Sequence, residues 1–265
     1  MKKKIIIFFI ILFALPAFGK KIDVTIYVDD AYKPYSFEGK DGKAEGMYID
    51  VLRTAFSRMN EFEVKMEPVP WKRGKKMMEE GNGFALTPAF YHGHDWPYLY
   101  PYSLPFYTET IITVCSEEKL EPPKPNWPDD YIGMTIGNVA GFDGWGGEKF
   151  KALVEKKKIP YEEVKGSSSN ILKLGSKRID CIMMEELAFE YEFKRLMQNG
   201  RYKKRFDKLR KGTTIGKDNV YIGYSKTAIE KGKYPFQFKF MQAFDSEIYR
   251  MIKSGEIKKI MNAYR

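Results

Sequence analysis

The sequence lacks the short motifs that mark common enzymes. It has no Gly-x-Ser-x-Gly turn, no paired Cys and His and no glycine-rich phosphate loop. Histidine is scarce, and His92 and His94 alone do not supply the three or four ligands of a zinc site. The recognition motifs of nucleic-acid-binding modules are also missing. These absences weigh against a hydrolase, a metalloenzyme and a nucleic-acid reader, and we expect neither a metal nor a cofactor.

A long membrane-spanning run is missing at the N-terminus. The apolar run over residues 5–18 is shorter than the ~20 residues that cross hydrocarbon, and Pro16 interrupts it. Three lysines precede the run and small residues end it, which predicts a secretory signal peptide over residues 1–19, cleaved after Gly19. No cysteine beside the cut offers a lipid anchor. Loss of the three lysines takes the formal charge from +10 to +7 (10 minus 3). We expect a soluble, basic mature protein in the periplasm.

Cysteine is nearly absent as well. The two residues, Cys115 and Cys181, lie in strand-like runs that we place in the same part of the fold. An exported protein reaches an oxidising compartment, where the two could form a disulfide. Two buried free thiols are the alternative, because Cys is also a common small core residue.

Five short stretches, spread over the chain, share the order and spacing of one protein family. They are Tyr-Lys-Pro-Tyr-Ser-Phe at 32–37, Glu-Gly-Met-Tyr-Ile-Asp-Val-Leu at 45–52, Tyr-Ser-Leu-Pro-Phe-Tyr at 102–107, Arg-Ile-Asp-Cys-Ile-Met-Met-Glu at 178–185, and the C-terminal run at 255–265. Together they resemble the family 3 extracellular solute-binding proteins, the amino-acid-type receptors of bacterial ABC importers. The resemblance implies an α/β fold of the type II periplasmic-binding-protein class, with two lobes and two strands that cross a hinge.

Hydrophobic periodicity supports alternating strands and helices. Residues 21–28 alternate as a strand, residues 48–59 carry an amphipathic helical stripe, and residues 71–80 form a short basic helix ended by Gly81. A second unit follows, with strands over 131–137, 161–164 and 179–183, a helix over 147–157, and a Ser-Ser-Ser-Asn cap before a helix that ends at Ser176. A return strand is predicted at 219–225. Strand, helix, strand order predicts parallel sheets with ligands beyond the strand carboxyl ends.

The resemblance divides the mature chain into a discontinuous first lobe and an inserted second lobe. Lobe 1 spans residues 20–112 plus 217–265, and lobe 2 spans residues 113–216. A small molecule would lie in the cleft between them, as small-molecule sites often do between domains.

Glu185 is the candidate for the solute's positive group. In the family, an acid five positions after the Asp of the Arg-Ile-Asp strand accepts the ligand's ammonium group, and counting from Asp180 gives Glu185. A carboxylate there would hold a cation through a charge-assisted hydrogen bond. The alternative is an exposed acid at a helix start, favoured by the helix dipole.

Two arginines that customarily bind the ligand carboxylate in the family are missing. Trp96 stands at the first position and Ile136 at the second. An indole does not replace a bidentate guanidinium. Unless a nearby Lys or Arg substitutes, the solute need not be an α-amino acid.

Aromatic rings crowd the same side of the expected cleft and favour an organic cation. Large aromatics more often pack a core, which is the alternative. With the strand ends and the turn after residue 138, the candidate ligand-binding residues are Tyr32, Trp71, Thr87, Ala89, Trp96, Asn138, Phe142, Asp143 and Glu185.

The sequence therefore predicts a monomeric, non-enzymatic receptor that captures a small polar or cationic organic solute and delivers it to an inner-membrane ABC permease. A sensory domain that feeds a signalling receptor is the nearest alternative. A cyclohexadienyl-dehydratase-like enzyme is a further one, and it would need a cleft arginine and a general acid.

Overall fold

The structure is a computed structural model of the chain that describes residues 20–91, 96–142, 144–198 and 206–264. The predicted signal peptide, the histidine pair and Asp143 lie outside these ranges. The described strands are β1 Ile22–Asp29, β2 Ala31–Tyr32, β3 Ser36–Glu38, β4 Ala44–Glu45, β5 Phe62–Val69, β6 Ala85–Ala89, β7 Leu99–Tyr102, β8 Tyr107–Ser116, β9 Ile136–Val139, β10 Tyr161–Val164, β11 Cys181–Glu185 and β12 Leu209–Ser225. The described α-helices are α1 Met47–Ser57, α2 Trp71–Glu80, α3 Gly147–Glu155, α4 Ser167–Gly175, α5 Glu186–Met197, α6 Lys226–Glu230, α7 Gln237–Ser254 and α8 Glu256–Asn262.

The first α/β unit follows the predicted order. β1 pairs in parallel with both β5 and β6, and α1 and α2 connect these strands. α1 buries the apolar stripe that the sequence shows. α2 has the predicted bounds and ends at Gly81, whose φ of 71° is the left-handed conformation that glycine adopts without a Cβ penalty. α7 and α8 return to this unit, and the rings of Phe56 and Phe244 lie 5.5 Å apart.

The second α/β unit contains β9, β10 and β11 with α3 and α4. β10 has the predicted bounds and pairs in parallel with β9. The predicted strand over 131–137 is wrong over residues 131–135, because Tyr131 closes a 3-10 turn and Gly133 takes a φ of 84°, and β9 begins only at Ile136. The predicted serine cap is also wrong: Gly166 occupies the N-cap, and Ser167 already belongs to α4.

Two long strands run between the units. β8 pairs antiparallel with β11 and with β12. β12 is 17 residues long: its first part pairs with β8, and its last residues pair with β6 and β7. The resulting sheet order is β10-β9-β11-β8-β12-β6-β1-β5. This is the two-lobe α/β fold with two crossing strands that the sequence predicts.

The two cysteines form a disulfide. Cys115 on β8 lies directly opposite Cys181 on β11, and the sulfur atoms are bonded. The two bonded cysteines are 66 residues apart in the sequence. It settles the choice that the sequence left open.

Over the described ranges, no helix combines the length and the apolar character that crossing a bilayer requires.

Candidate functional site

An aromatic cluster brings together four of the predicted site residues. The ring of Trp71 lies 5.9 Å from that of Trp96 and 6.2 Å from that of Phe142, and the ring of Tyr32 lies 5.2 Å from Phe142. Trp145 joins the cluster, 5.0 Å from Phe142. All five side chains are buried. α2, the β1–β3 region and the loop after β9 therefore meet through aromatic rings.

Lys75 places a positive charge against this cluster. Its ammonium nitrogen lies 4.9 Å from the ring centroid of Trp96, and it donates a hydrogen bond of 2.8 Å to the carbonyl oxygen of Gly141. α2 presents both Trp71 and Lys75 to the loop after β9, so this helix contributes to the contact between the two units. Trp96 thus packs beneath a lysine.

Glu185 is buried at the junction of β11 and α5. Its side chain is 3% exposed and caps α5 by accepting a hydrogen bond of 2.7 Å from the Ala188 amide. The same oxygen accepts a hydrogen bond of 2.7 Å from the hydroxyl of Tyr35. Burial raises the pKa of Glu185, and these hydrogen bonds oppose the increase. Glu185 therefore lies at a helix start, as the alternative interpretation predicts, but it is buried and not exposed.

Glu109 is a second buried acid, near Glu185, that the sequence patterns do not single out. It lies on β8 and is fully buried, and its two carboxylate oxygens accept hydrogen bonds from the hydroxyls of Tyr48, at 2.5 Å, and Tyr32, at 2.8 Å. Burial and then the nearby charge of Glu185 raise its pKa well above the usual range. A weak signal existed in the alternation of Thr, Glu and Thr just before the β-branched run of the strand.

The tyrosines link the two acids. The rings of Tyr35 and Tyr48 stack at 4.4 Å, and the ring of Tyr35 lies 5.1 Å from that of Tyr32. Three tyrosines from neighbouring segments thus cover Glu109 and Glu185 with hydroxyl groups and π faces. Ring quadrupoles and carboxylates both stabilise positive charge, so this buried cluster is chemically suited to a cation beside it.

The remaining predicted residues have structural partners. Thr87 donates a hydrogen bond of 3.0 Å to the carbonyl oxygen of Tyr221, and Ala89 lies opposite that residue on β12. The amide group of Asn138 donates to the carbonyl oxygen of Phe142 and, at 3.1 Å, to the hydroxyl of Tyr161. Asn138 therefore fixes the loop that carries Phe142. Asp143 follows in that loop, outside the described residues.

Two cavities lie where the units meet. One of about 530 Å³ opens beside Glu185, between α5, β8 and the C-terminal segment, and its lining includes Tyr107, Thr110 and Tyr191. Its volume is within the range that holds small ligands. A second, of about 70 Å³, lies beside Trp71 and reaches Lys165. A larger cavity of about 700 Å³ lies elsewhere and is lined by surface charges without aromatic rings.

Comparison with known proteins finds a family whose sequence pattern matches part of the chain. The sequence pattern of the bacterial extracellular solute-binding proteins, family 3, matches residues 24–92. The match covers β1 to β6 and includes Tyr32, Trp71, Thr87 and Ala89. The resemblance to the family 3 solute-binding proteins is therefore confirmed. Proteins of this family are extracellular, bind small molecules and work with ABC transporters. No curated protein matches the chain.

Solved structures share the fold over nearly the whole chain. A structure that explains glutathione import via GshT and the cystine ABC importer TcyBC of Streptococcus mutans matches with a TM-score of 0.73 and 16% identity, over 92% of this chain and 95% of that one. A histidine kinase sensor domain similar to periplasmic binding proteins matches with a TM-score of 0.69 and 13% identity, over 92% and 96%. The ancestral amino acid-binding protein AncCDT-1, a precursor of cyclohexadienyl dehydratase, matches with a TM-score of 0.65 and 14% identity, over 91% and 94%. Because the sequence identities are low, these structural similarities show the fold alone, which is that of the type II binding proteins.

Proposed function

We propose that this chain is a periplasmic receptor that captures a small polar or cationic organic solute for ABC import. The observation that carries the proposal is the burial of Glu185 beside tyrosine rings at the junction of the two units. A buried carboxylate is costly unless a cation or a proton neutralises it. A solute with a positive group would supply the cation, and the surrounding rings would add cation–π attraction.

The proposal assigns residues 20–112 plus 217–265 to lobe 1 and residues 113–216 to lobe 2. With these bounds, the hydrogen bond from Tyr35 to Glu185 crosses between the lobes, as does the one from Lys75 to the carbonyl oxygen of Gly141. Both bonds would form only when the lobes close. The crossing strands β8 and β12 would absorb the backbone change of closure.

Location and partners follow from the same assignment. Residues 1–19 would direct export and be removed, and the mature protein would act in the periplasm as a monomer. An inner-membrane permease would receive the solute when the lobes open. We infer binding without catalysis, because the cleft has no arginine at the positions of Trp96 and Ile136 to pair with a general acid.

A sensory role is the second candidate. The likeness to a histidine kinase sensor domain favours it, since the same fold serves a signalling protein there. Genes for a permease and an ATPase beside the coding sequence would favour import, whereas a histidine kinase gene would favour sensing.

A thermal-shift screen of the protein lacking residues 1–19 tests the proposal. The panel contains amino acids, polyamines, betaines and small carboxylic acids. A ligand at 100 times its Kd adds about 2.7 kcal/mol to the free energy of unfolding, which gives a clear rise in Tm. We expect the largest rises from compounds with an ammonium group. Stabilisation by the acids alone, or by no compound, would contradict the proposal.

A further inference from the structure

Glu109 and Glu185 lie on the same face of the sheet. Glu185 pairs with Ile111 on β8, and Glu109 is two residues before Ile111 on the same strand. Alternate residues of a strand share a face, and diagonal cross-strand neighbours have Cβ atoms about 7 Å apart. The two carboxylates are therefore neighbours by register.

A third acid lies on the other side of Glu109. Asp218 of β12 is directly opposite Glu109, so that it shares the same face of the sheet. Its charge, like that of Glu185, disfavours ionisation of Glu109. Acids directly opposite each other destabilise a pair of strands. The crossing strands thus bring three acids close together at the junction of the two units.

The hydrogen bonds to Glu109 and Glu185 in the described structure come from hydroxyl and backbone groups, and Lys194 is the cation that lines the cavity beside Glu185. Glu109 is held by Tyr32 and Tyr48, and Glu185 by Tyr35 and the α5 backbone. Within the part of the chain that the structure describes, the nearby ion pairs of Arg195 and Lys211 are with other acids, namely Glu192, Glu186 and Glu190. Each tyrosine hydroxyl that donates to a carboxylate keeps its own lone pairs. Polarisation by the carboxylate makes that oxygen a stronger acceptor for an ammonium group.

We propose that Glu109 sets the charge selectivity of the site, so that the captured solute is an amine with two positive groups and no carboxylate. This inference rests on the proposed function. One ammonium group binds at Glu185. The other binds against the hydroxyls and rings of Tyr32 and Tyr48, with Glu109 behind them. Trp96 and Ile136 offer no guanidinium to a carboxylate, which is consistent with a solute that lacks one.

Three probes of similar length separate the alternatives: 1,4-diaminobutane, n-butylamine and 4-aminobutanoate. Isothermal titration of the protein lacking residues 1–19 measures their affinities. We expect the diamine to bind about tenfold more tightly than the monoamine, which is the effect of one charge-assisted contact of moderate strength. The amino acid should bind more weakly than either. This ranking needs no variant, so it stands even if a substitution impairs folding.

Glu109→Gln tests the residue itself. The side chain keeps its shape, and we expect the preference for the diamine over the monoamine to fall to about threefold or less. Glu63→Gln is the control, since Glu63 is an exposed strand acid that pairs with Lys21. An unchanged preference in Glu109→Gln, with native circular dichroism, would overturn the assignment.

The outcomes distinguish this inference from the receptor function. Equal affinities for diamine and monoamine overturn the inference and leave a cation receptor. Tightest binding of 4-aminobutanoate also overturns it, and would assign a carboxylate contact to a cation such as Lys75. If none of the three probes binds, the inference fails, and the thermal-shift panel decides separately whether the receptor function fails with it.

Discussion

The hydroxyl of Tyr35 donates a hydrogen bond of 2.7 Å to Glu185, a residue 150 positions further along the chain. This bond joins the turn after β2 to the start of α5. It also favours the ionised form of Glu185, because a donor stabilises a carboxylate.

Tyr35→Phe removes this donor and keeps the ring that stacks on Tyr48. We expect the free energy of unfolding to fall by about 1 kcal/mol, since a buried acceptor loses one partner. The pKa of Glu185 should rise further, so that the affinity for a cationic solute reaches its plateau at a higher pH than in the wild type. Urea unfolding and titrations between pH 5 and 8 measure both. Tyr249→Phe, at an exposed tyrosine of α7, is the control.

Lys75→Met tests the contact between α2 and the loop after β9. The variant keeps an apolar stem over Trp96 but loses the donor to the carbonyl oxygen of Gly141. We expect the free energy of unfolding to fall by about 1 to 2 kcal/mol. Lys76→Met, at the next residue, removes only an exposed pair with Glu80 at 3.7 Å and should change stability little. Equal effects of the two variants would contradict the contact.

The disulfide predicts sensitivity to reductant. The double variant Cys115→Ser, Cys181→Ser should lose about 2 to 4 kcal/mol of unfolding free energy, because the bond closes a loop of 66 residues in the unfolded chain. Reduced wild type should unfold at the same lower urea concentration as the variant. If the wild type is unfolded, reduced with dithiothreitol and refolded, and its urea midpoint does not change, the bond is absent.

Asp29 predicts a pH-dependent stability. Burial raises its pKa from 3.8 to about 7 in the folded protein. Between these two pKa values the folded state holds a proton on Asp29 that the unfolded state has already released. The free energy of unfolding is therefore highest below pH 4 and falls as the pH rises towards 7. Asp29→Asn keeps an acceptor for the Ala31 amide, which donates to the Asp29 carboxylate at 2.7 Å.

We expect Asp29→Asn to match the wild type near pH 4 and to exceed its unfolding free energy by about 2 to 4 kcal/mol at pH 8. Denaturant unfolding at both pH values measures the difference. Asp23→Asn, at an exposed aspartate of the same strand, should show no such change. A variant less stable than the wild type at pH 8 would contradict the assignment.

Local sequence signals predicted the elements that form through local interactions. α2 was predicted with the correct bounds because a glycine, which adopts the left-handed conformation, marks its end. By contrast, β12 begins ten residues before the predicted return strand at 219. Its first part contains charged residues and glycines without alternation, and it becomes a strand because β8 offers a long pairing partner.

The candidate site also depends on long-range contacts that local sequence patterns do not predict. Glu185 was found through a family spacing, and its burial follows from contacts with Tyr35 that no local pattern reveals. Glu109 was missed because its burial depends on tyrosines from two other segments, which only the folded chain brings to its carboxylate. Trp96 was placed correctly among aromatic rings, yet the lysine above it comes from the basic face of α2.

The central claim is that Glu185 binds the positive group of a captured solute. Isothermal titration of wild type and Glu185→Gln with the tightest-binding amine of the thermal-shift panel tests it most directly, with Glu118→Gln, an exposed acid paired with Lys177, as the control. We predict that Glu185→Gln weakens binding more than tenfold, which corresponds to about 1.4 kcal/mol or more, while the control binds as the wild type does. Equal affinities of the wild type and Glu185→Gln, with the same Tm, would contradict the account.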